Sequence, residues 1–465
     1  MQSGGQAQQP LSAGPLALRQ KAVVGRIERL PFHSWHVKVR MYIGVATFFD
    51  AFDALMLAYT LPVLVPLWHI PRSRIGLLIS AGYVGQLLGA VFYGWFAEHF
   101  GRIKSLTFSV MVLSLASLAC IFAPHFWFFF AFRTLQGFGL GGEVPVAAAY
   151  INEVSRAKNR GAFFCLYECL FTIGLVAAAG IGLALVPVYG WKSMFLIGVI
   201  PALMVPFYIR GIPESPRWLA GQGRLDEAEV ILDKLEKITT NNNVAKLPPL
   251  DLSKIENVSA VKTHVAELFQ GIYLKRTIAV WFLWFCAYFV NYGLTVWIPT
   301  LFTTVFHTPL AQALRYSFIA QFSGLVLCLI CAFTIDHLGR KAWLSISYIG
   351  AFIPLLVLGA RGVHSGYELA VLYTVYFTLL SPSNMMLYLY TPEIYPTRMR
   401  ALGCSLATSW LRIASAISPM VVTLLVPHGI GTVFAVMSVA PLVGAIVTLG
   451  FTVETKGKVL ETLAP

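Results

Sequence analysis

Long apolar stretches alternate with short polar ones along nearly the whole chain. Twelve of them are long enough to cross a hydrocarbon core of about 30 Å as α-helices, which takes about 20 residues each. They lack the short alternating pattern of an outer-membrane barrel. The pattern therefore predicts an all-α integral membrane protein. The predicted spans are 41–68, 75–98, 103–123, 126–152, 161–187, 191–210, 277–305, 312–335, 342–360, 367–391, 402–426 and 431–452.

A long polar interval divides these spans into two groups of six, and short motifs recur on both sides of it. Gly101-Arg102 and Gly339-Arg340 are 238 positions apart, whereas Glu153 and Glu393 are 240 positions apart. Such a repeat indicates a duplicated six-helix unit, and the two copies face the same way because six is even. The predicted organisation is an N-terminal segment (1–40), a six-helix bundle (41–210), a linker with some helix (211–276), a second bundle (277–452) and a tail (453–465).

Composition and charge agree with a membrane protein and predict its orientation. The 465 residues are 57% hydrophobic and 12% charged, whereas about a quarter of a soluble protein is charged. Of the lysines and arginines, 27 lie on the side that holds both termini and five on the other, so both termini are expected in the cytoplasm. Topology and anionic lipid account for the net charge of +13; no nucleic-acid partner and no signal peptide are expected.

Two carboxylates lie inside the first span. Asp50 and Asp53 are three positions apart and share one helix face, about 14 and 18 Å from the cytoplasmic end at 1.5 Å per residue. Arg133 in the fourth span is expected at nearly the depth of Asp53. An ionisable group in mid-membrane costs about 2.5–3.5 kcal/mol and is normally paired or functional. We predict that Asp50 or Asp53 carries a transported proton and that Arg133 holds the deprotonated form; the alternative is a static ion pair between helices.

Three further charges lie inside spans. Glu143 follows a run of small residues and is expected to have a structural role. Glu168 is either a second proton site or a buried hydrogen-bonding partner. Arg412 has no acid in its own span, so an acid of another helix or an anionic substrate must neutralise it. The planar guanidinium suits two-point contact with a carboxylate.

Aromatic and amide side chains could complete a pocket for a flat ring. Rings stack on such a substrate and amides bond its polar atoms, although each of these residues could equally be a packing or lipid-facing one. The candidates are Tyr288, Asn291, Tyr292, Gln321 and Trp410.

Acids and bases also cluster at the cytoplasmic helix ends of both halves. Pairs that form across the bundle when that side is closed, and part when it opens, would set the balance between two conformations. The alternative is helix capping and topology signal. These gating candidates are Glu98, Arg102, Glu153, Arg160, Glu214, Arg217, Asp336, Arg340, Glu393, Arg400 and Glu454.

Several of these motifs together resemble the signature set of the major facilitator superfamily, over essentially the whole chain. The resemblance implies two pseudo-symmetric six-helix bundles, a solute carrier with alternating access and a monomer. Glu98 and Ile103 stand where the family usually has Asp and a basic residue, so the first loop would form a weaker latch. The matching motifs are Gly94 to Arg102, Asp336 to Lys341, Arg133 to Gly137, "PESPRWL" and "VETKGKVLE".

Other stretches resemble one branch of that superfamily. "RIERLP", "FFDAFD" and "NYGLTVWIPTLF" are similar to bacterial niacin and aromatic-acid proton symporters, organic-ion carriers and relatives of synaptic-vesicle proteins. In that branch a basic residue in span 11 goes with anions, so Arg412 favours a small organic anion. The expected function is import of a small aromatic or heteroaromatic monocarboxylate, such as nicotinate, by proton symport across the bacterial inner membrane.

Two alternatives remain open. A sugar–proton symporter would share "PESPRWL" and "VETKGKVLE", but span 7 lacks paired glutamines and Arg412 is awkward for a neutral sugar. A membrane receptor could keep the fold without transport. Without a phosphate loop, nucleophile elbow or metal cluster, the sequence predicts no enzyme, no cofactor and no metal. The exact substrate, the direction of transport and the proton stoichiometry stay open.

Overall fold

The chain folds into helices that follow the predicted order. The computed structural model describes residues 15–31, 33–154, 160–240, 242–244, 247–250 and 265–456, and these contain no β-strand. The N-terminal half comprises α1 (Pro15–Arg29), α2 (Ser34–Leu67), α3 (Arg72–Phe100), α4 (Arg102–Ile121), α5 (Phe126–Val154), α6 (Arg160–Tyr189), α7 (Lys192–Ile197) and α8 (Val205–Gly211). The linker holds α9 (Pro216–Gly221) and α10 (Leu225–Thr239). The C-terminal half comprises α11 (Gly271–Thr304), α12 (Leu310–Leu338), α13 (Arg340–Arg361), α14 (Gly366–Glu393), α15 (Thr397–Leu425) and α16 (Ile430–Phe451).

The predicted all-α class is confirmed, but the sixth span is not one continuous helix. In the part of the chain that the structure describes, nine helical segments are long and apolar enough to cross a membrane, and α5 and α14 lie at two further predicted spans. At the sixth span, α7 ends at Ile197, a 3-10 turn covers Ile200–Met204 and α8 follows. Pro201 and Pro206 explain the interruption, because proline lacks the N–H group that a helix needs and clashes with the preceding turn.

The two halves have matching internal packing. In the first half α2 packs on α6, and α3 and α4 pack on α5; in the second half α11 packs on α15, and α12 and α13 pack on α14. The halves meet where α3 contacts α15, α6 contacts α12 and α2 contacts α11. The contact pattern therefore has the two-fold symmetry that the sequence repeat predicted.

The halves are closed against each other at the bundle end opposite the termini, which we call the far side (loops 68–71, 122–125, 305–309 and 362–365). A Cβ atom on Gly76 would overlap Thr423 Oγ1, so only glycine permits this approach of α3 to α15. Close by, Ser80 Oγ donates a hydrogen bond to the Ala416 carbonyl at 2.7 Å. The two halves are therefore in close contact at the far side, along α3 and α15.

An ion-pair zipper that the sequence analysis did not predict joins α1 to α10. Val23 and Ile27 of α1 belong to one buried apolar cluster with Leu232 of α10. Trp218 Nε1 donates to the Glu98 carbonyl at 3.0 Å and so holds the linker on the first half. The arginines of α1 face a stripe of acids on α10, with nitrogen–oxygen distances of 2.5–3.0 Å in the pairs Arg19–Asp226, Arg19–Glu229, Arg26–Asp233, Arg26–Glu236 and Arg29–Glu236.

Acidification should release α1 from α10. Although burial opposes ionisation, the hydrogen bonds from Arg26 and Arg29 hold the pKa of Glu236 below its ordinary value. A carboxylate with a lowered pKa stabilises the docked state fully above its ordinary pKa of about 4.3. That stabilisation is lost as the pH falls from there through the lowered pKa.

A distance between spin labels at the exposed positions Leu18 and Val230 measures this docking in the full chain. The distance should lengthen on acidification, and in Glu236→Gln it should be long already at neutral pH. Glu227→Gln is the matched control, because Glu227 lies on the same helix but pairs with Arg224. An unchanged distance in Glu236→Gln would show that the zipper does not hold α1.

Candidate functional site

Arg133 of α5 and Asp53 of α2 form a buried ion pair. Arg133 Nη1 lies 2.8 Å from Asp53 Oδ2, and Nη2 donates to the Asp53 carbonyl at 3.1 Å. The amide Nε2 of Gln136 donates to the other carboxylate oxygen. Asp53 and Arg133 are only 2% and 5% exposed. The structure thus brings together the two residues that the sequence placed at one depth, and both carboxylate oxygens of Asp53 have partners.

Asp50, one turn earlier on α2, has a different environment. It is 7% exposed, and among the described residues no hydrogen bond or ion pair reaches its carboxylate. Its charged neighbours act at longer range, since it interacts electrostatically with Asp53 on its own helix and with Arg412 of α15. Of the two acids, Asp50 is therefore the one whose carboxylate is not already held by hydrogen bonds.

Arg412 faces Asp50 from the other half of the protein. Its side chain is partly exposed and interacts electrostatically with Asp50 and with Tyr388 of α14. Within the described part of the chain it forms no hydrogen bond or ion pair. An acid of another helix is therefore near Arg412 without contacting it, and the guanidinium keeps its donors available for a ligand.

A ladder of aromatic rings runs along one face of α11. The rings of Trp284, Tyr288 and Tyr292 are stacked at centroid distances of 5.5 and 5.7 Å. Tyr292 also contacts Tyr83 of α3 at 5.3 Å, and Trp284 contacts Tyr388 at 4.7 Å. The three α11 rings are buried, whereas Tyr388 is partly exposed. Tyr288 and Tyr292 thus lie in the ladder as packed rings, and Tyr388 is its exposed end.

The remaining substrate candidates, Asn291, Gln321 and Trp410, form no hydrogen bond with Arg412 among the described residues. Asn291 lies on α11 beside the ladder and is largely buried, as is Gln321 on α12. Trp410 packs against Trp281, with ring centroids 5.4 Å apart. Because two positions along a helix differ by about 200° in direction, Trp410 and Arg412 point to opposite sides of α15. The structure therefore does not bring Trp410 to the guanidinium.

Arg102 is the centre of a charge cluster in the first half. The cluster lies at the end of the bundle that holds both termini, which we call the terminal side. It pairs with Glu98 and Glu153, each at 2.9 Å. Glu214 accepts hydrogen bonds from the backbone N–H groups of Arg102 at 2.9 Å and Ile103 at 3.2 Å. Burial raises the pKa of Glu214 despite these bonds. The carboxylate of Glu214 thus caps the first turn of α4, where the helix dipole favours a negative charge.

The second half repeats this cluster around Arg340. Arg340 pairs with Glu393 at 3.1 Å, and Glu454 accepts hydrogen bonds from the N–H groups of Arg340 and Lys341 at 3.0 Å. Burial of Glu454 is outweighed by its backbone hydrogen bonds, so its pKa is lowered. In both clusters the ion pairs described above join residues of one half. Pairing across the bundle when the terminal side closes therefore stays a prediction.

The structure also shows the surroundings of two further candidates, Arg217 and Glu143. Arg217 pairs with Glu28 of α1 at 2.7 Å, and so belongs to the contact between α1 and the linker. Glu143 accepts a hydrogen bond from Thr47 Oγ1 at 2.9 Å, which links α5 to α2 and agrees with a structural role. Four other candidates have side chains outside those that the structure describes: Arg160, Glu168, Asp336 and Arg400.

Comparisons with known proteins agree with this architecture. A family model described as sugar (and other) transporter matches residues 35–465. A niacin transporter of Acinetobacter baylyi is 34% identical over 450 residues, which cover 95% of this chain and 99% of that protein. Organic cation/carnitine transporter 7 of Arabidopsis thaliana is 28% identical, over 92% of this chain and 93% of its own. The E. coli xylose transporter XylE, in a partially occluded inward open conformation, is similar in fold with a TM-score of 0.73 and 20% identity, over 92% of this chain and all of that one.

Proposed function

This chain belongs to the sugar (and other) transporter family of the major facilitator superfamily, and from that premise we propose that it imports a small aromatic or heteroaromatic monocarboxylate by proton symport. Nicotinate is the model substrate. The family consists of membrane transporters, so the chain is a transporter and not an enzyme. The observation that carries the substrate proposal is the guanidinium of Arg412, which faces Asp50 without contacting it.

Arg412 is the proposed anchor for the substrate carboxylate. Its donors are not used by the described residues, and a guanidinium binds a carboxylate through two parallel hydrogen bonds. A neutral sugar offers no charge to balance this group, whereas a monocarboxylate does. The nearby ring of Tyr388 supports an aromatic substrate over an aliphatic one, because rings gain from edge and face contacts with each other.

Asp50 is the proposed proton carrier. When it is ionised, it partly neutralises Arg412 and repels an incoming carboxylate. When it is protonated, both effects vanish and Arg412 presents its full positive charge to the anion. A proton and the anion then favour each other's binding, and this coupling is reciprocal. Asp53 is the less suitable carrier, since Arg133 and Gln136 already hold both of its oxygens.

The position of the site suits alternating access. Asp50 is on the first half and Arg412 is on the second, so a bound proton and anion act on the boundary between them. Contacts such as that of Gly76 with Thr423 hold the halves close together at the far side in this structure. Rocking of one half against the other around a central site would open the far side and close the terminal side.

Uptake of labelled nicotinate by proteoliposomes tests the proposed function. An inward proton gradient should drive accumulation above the external concentration, and a protonophore should abolish it. Unlabelled benzoate should compete, whereas xylose and a quaternary ammonium ion should not. Liposomes without the protein are the control. Competition by xylose alone would replace the proposed substrate class by sugars, and competition by the ammonium ion alone would replace it by cations.

A further inference from the structure

One face of α14 carries two polar side chains, Asn384 and Tyr388, and the second of them interacts with Arg412 of α15. Asn384 and Tyr388 are four positions apart and therefore lie on the same face, one turn from each other. Both are partly exposed. Tyr388 is the exposed end of the aromatic ladder and interacts electrostatically with Arg412.

Buried neighbours fix the orientation of Tyr388. Its ring meets that of Trp284 edge to face, with centroids 4.7 Å apart. Trp284 is itself buried and its Nε1 donates to Thr391 Oγ1 at 2.9 Å. Trp284 is held by packing and by a hydrogen bond. The ring of Tyr388, which packs on Trp284, therefore has a defined position near Arg412.

Asn384 has hydrogen-bonding capacity that the described residues do not use. Its Oδ1 atom is enclosed and has no hydrogen-bond partner, and no bond to its amide nitrogen occurs among the described residues. A polar group that is left unsatisfied inside a protein destabilises it, because the group has lost its hydrogen bonds to water. A ligand that bonds this amide recovers that cost, and rotation of the amide can present either its donor or its acceptor.

We propose that Asn384 and Tyr388 bind the ring of the substrate while Arg412 binds its carboxylate. Tyr388 contacts the ring next to the carboxylate, and the amide of Asn384 bonds a ring heteroatom. Asn384 and Tyr388 are separated along α14 by about one helical turn of 5.4 Å, which is within the length of a six-membered ring together with its carboxylate. The preferred substrate is then a heteroaromatic monocarboxylate, over a carbocyclic acid of the same shape. This inference rests on the proposed function.

The size of the preference follows from one hydrogen bond. A hydrogen bond to a group that would otherwise stay unsatisfied changes affinity by about one factor of ten. The unmodified protein should therefore have a KM for nicotinate about tenfold below that for benzoate. The two acids have the same shape and differ at one ring position, nitrogen in one and C–H in the other, so their KM ratio measures a contact with the ring heteroatom. The Asn384 variant then assigns that contact to Asn384.

Variants of α14 test the assignment in proteoliposomes with both labelled acids. Asn384→Leu should raise the KM for nicotinate about tenfold and leave the KM for benzoate nearly unchanged. Tyr388→Leu should raise the KM for both acids, because each acid has a ring. Tyr388→Phe keeps the aromatic contact and should raise both KM values less. Thr374→Val is the matched control, since Thr374 lies on the same helix and its hydroxyl donates to the Ala370 carbonyl of that helix.

The outcomes separate this inference from the proposed function. If the unmodified protein takes up neither acid, the proposed function is wrong and the inference goes with it. If it takes up both with equal KM, or if Asn384→Leu changes both equally, the carrier stands and the heteroatom contact is overturned. If Asn384→Leu does not fold, Asn384→Ala takes its place in the same comparison of the two acids.

Discussion

Replacing Arg412 by alanine should reduce the initial rate of nicotinate uptake at low concentration by about 100-fold or more. Truncation of one partner in a buried, hydrogen-bonded charge pair costs about 2–5 kcal/mol, and each 1.4 kcal/mol is a factor of about ten. The loss has two sources. The carboxylate loses its planar fork of donors, and Asp50 loses the positive charge that balances it across the boundary between the halves.

A double-mutant cycle separates these two sources. Asp50→Asn in the Arg412→Ala background removes the repulsion between Asp50 and the substrate but does not restore the fork, so we expect partial recovery of downhill uptake. The single Arg412→Lys variant keeps the charge without the fork and should give an intermediate loss.

Arg315→Ala is the matched control for a lost arginine, because Arg315 lies exposed on α12; its uptake should be unchanged. Thermal unfolding in detergent should show that each variant folds. Normal uptake by folded Arg412→Ala would remove Arg412 from the substrate site.

The buried pair of Asp53 and Arg133 could be predicted from the sequence. A charge in a membrane span must be paired, and the depth of a residue follows from its position along a helix of known rise. Those two constraints predicted that Asp53 and Arg133 lie at the same depth in the membrane. In the structure Arg133 Nη1 is 2.8 Å from Asp53 Oδ2. The repeat likewise predicted the matching clusters around Arg102 and Arg340, because duplicated sequence keeps local contacts.

The roles of Tyr388 and Asn384 could not be predicted in this way. Both lie in a span with many aromatic and polar residues, and periodicity gives the face of a helix but not the helix that faces it. The contact of Tyr388 with Trp284 and its proximity to Arg412 depend on how α14, α11 and α15 pack. Trp410 shows the opposite case, since closeness along the chain to Arg412 did not place its ring on the same side of α15.

The zipper between α1 and α10 was missed for a related reason. The charges of α10 are visible in the sequence as a stripe typical of a solvated helix face. Their partners are about 200 positions away, and charge pattern alone does not say which segments meet. The interrupted sixth span, in contrast, has a local cause in Pro201 and Pro206, and the apolar composition of that stretch concealed it.

Asp50→Asn should separate transport from its coupling to protons. Asparagine resembles the protonated acid, so Arg412 stays free to bind the anion while no proton can be released. We expect exchange of labelled for unlabelled nicotinate across the membrane to continue, and accumulation driven by a proton gradient to fall to the level without a gradient. Accumulation that persists in Asp50→Asn would exclude Asp50 as the proton carrier.

Asp53→Asn should instead damage the fold. It leaves the guanidinium of Arg133 buried without its counter-charge, which costs about 3–5 kcal/mol when a buried pair is broken. The expected result is a lower unfolding temperature and loss of exchange together with accumulation. If Asp53→Asn were as stable as the unmodified protein and lost only accumulation, the proton would be carried on Asp53. Asp50 would then act only on the charge of Arg412. The two variants together thus assign the proton to one of two acids that lie a single helical turn apart.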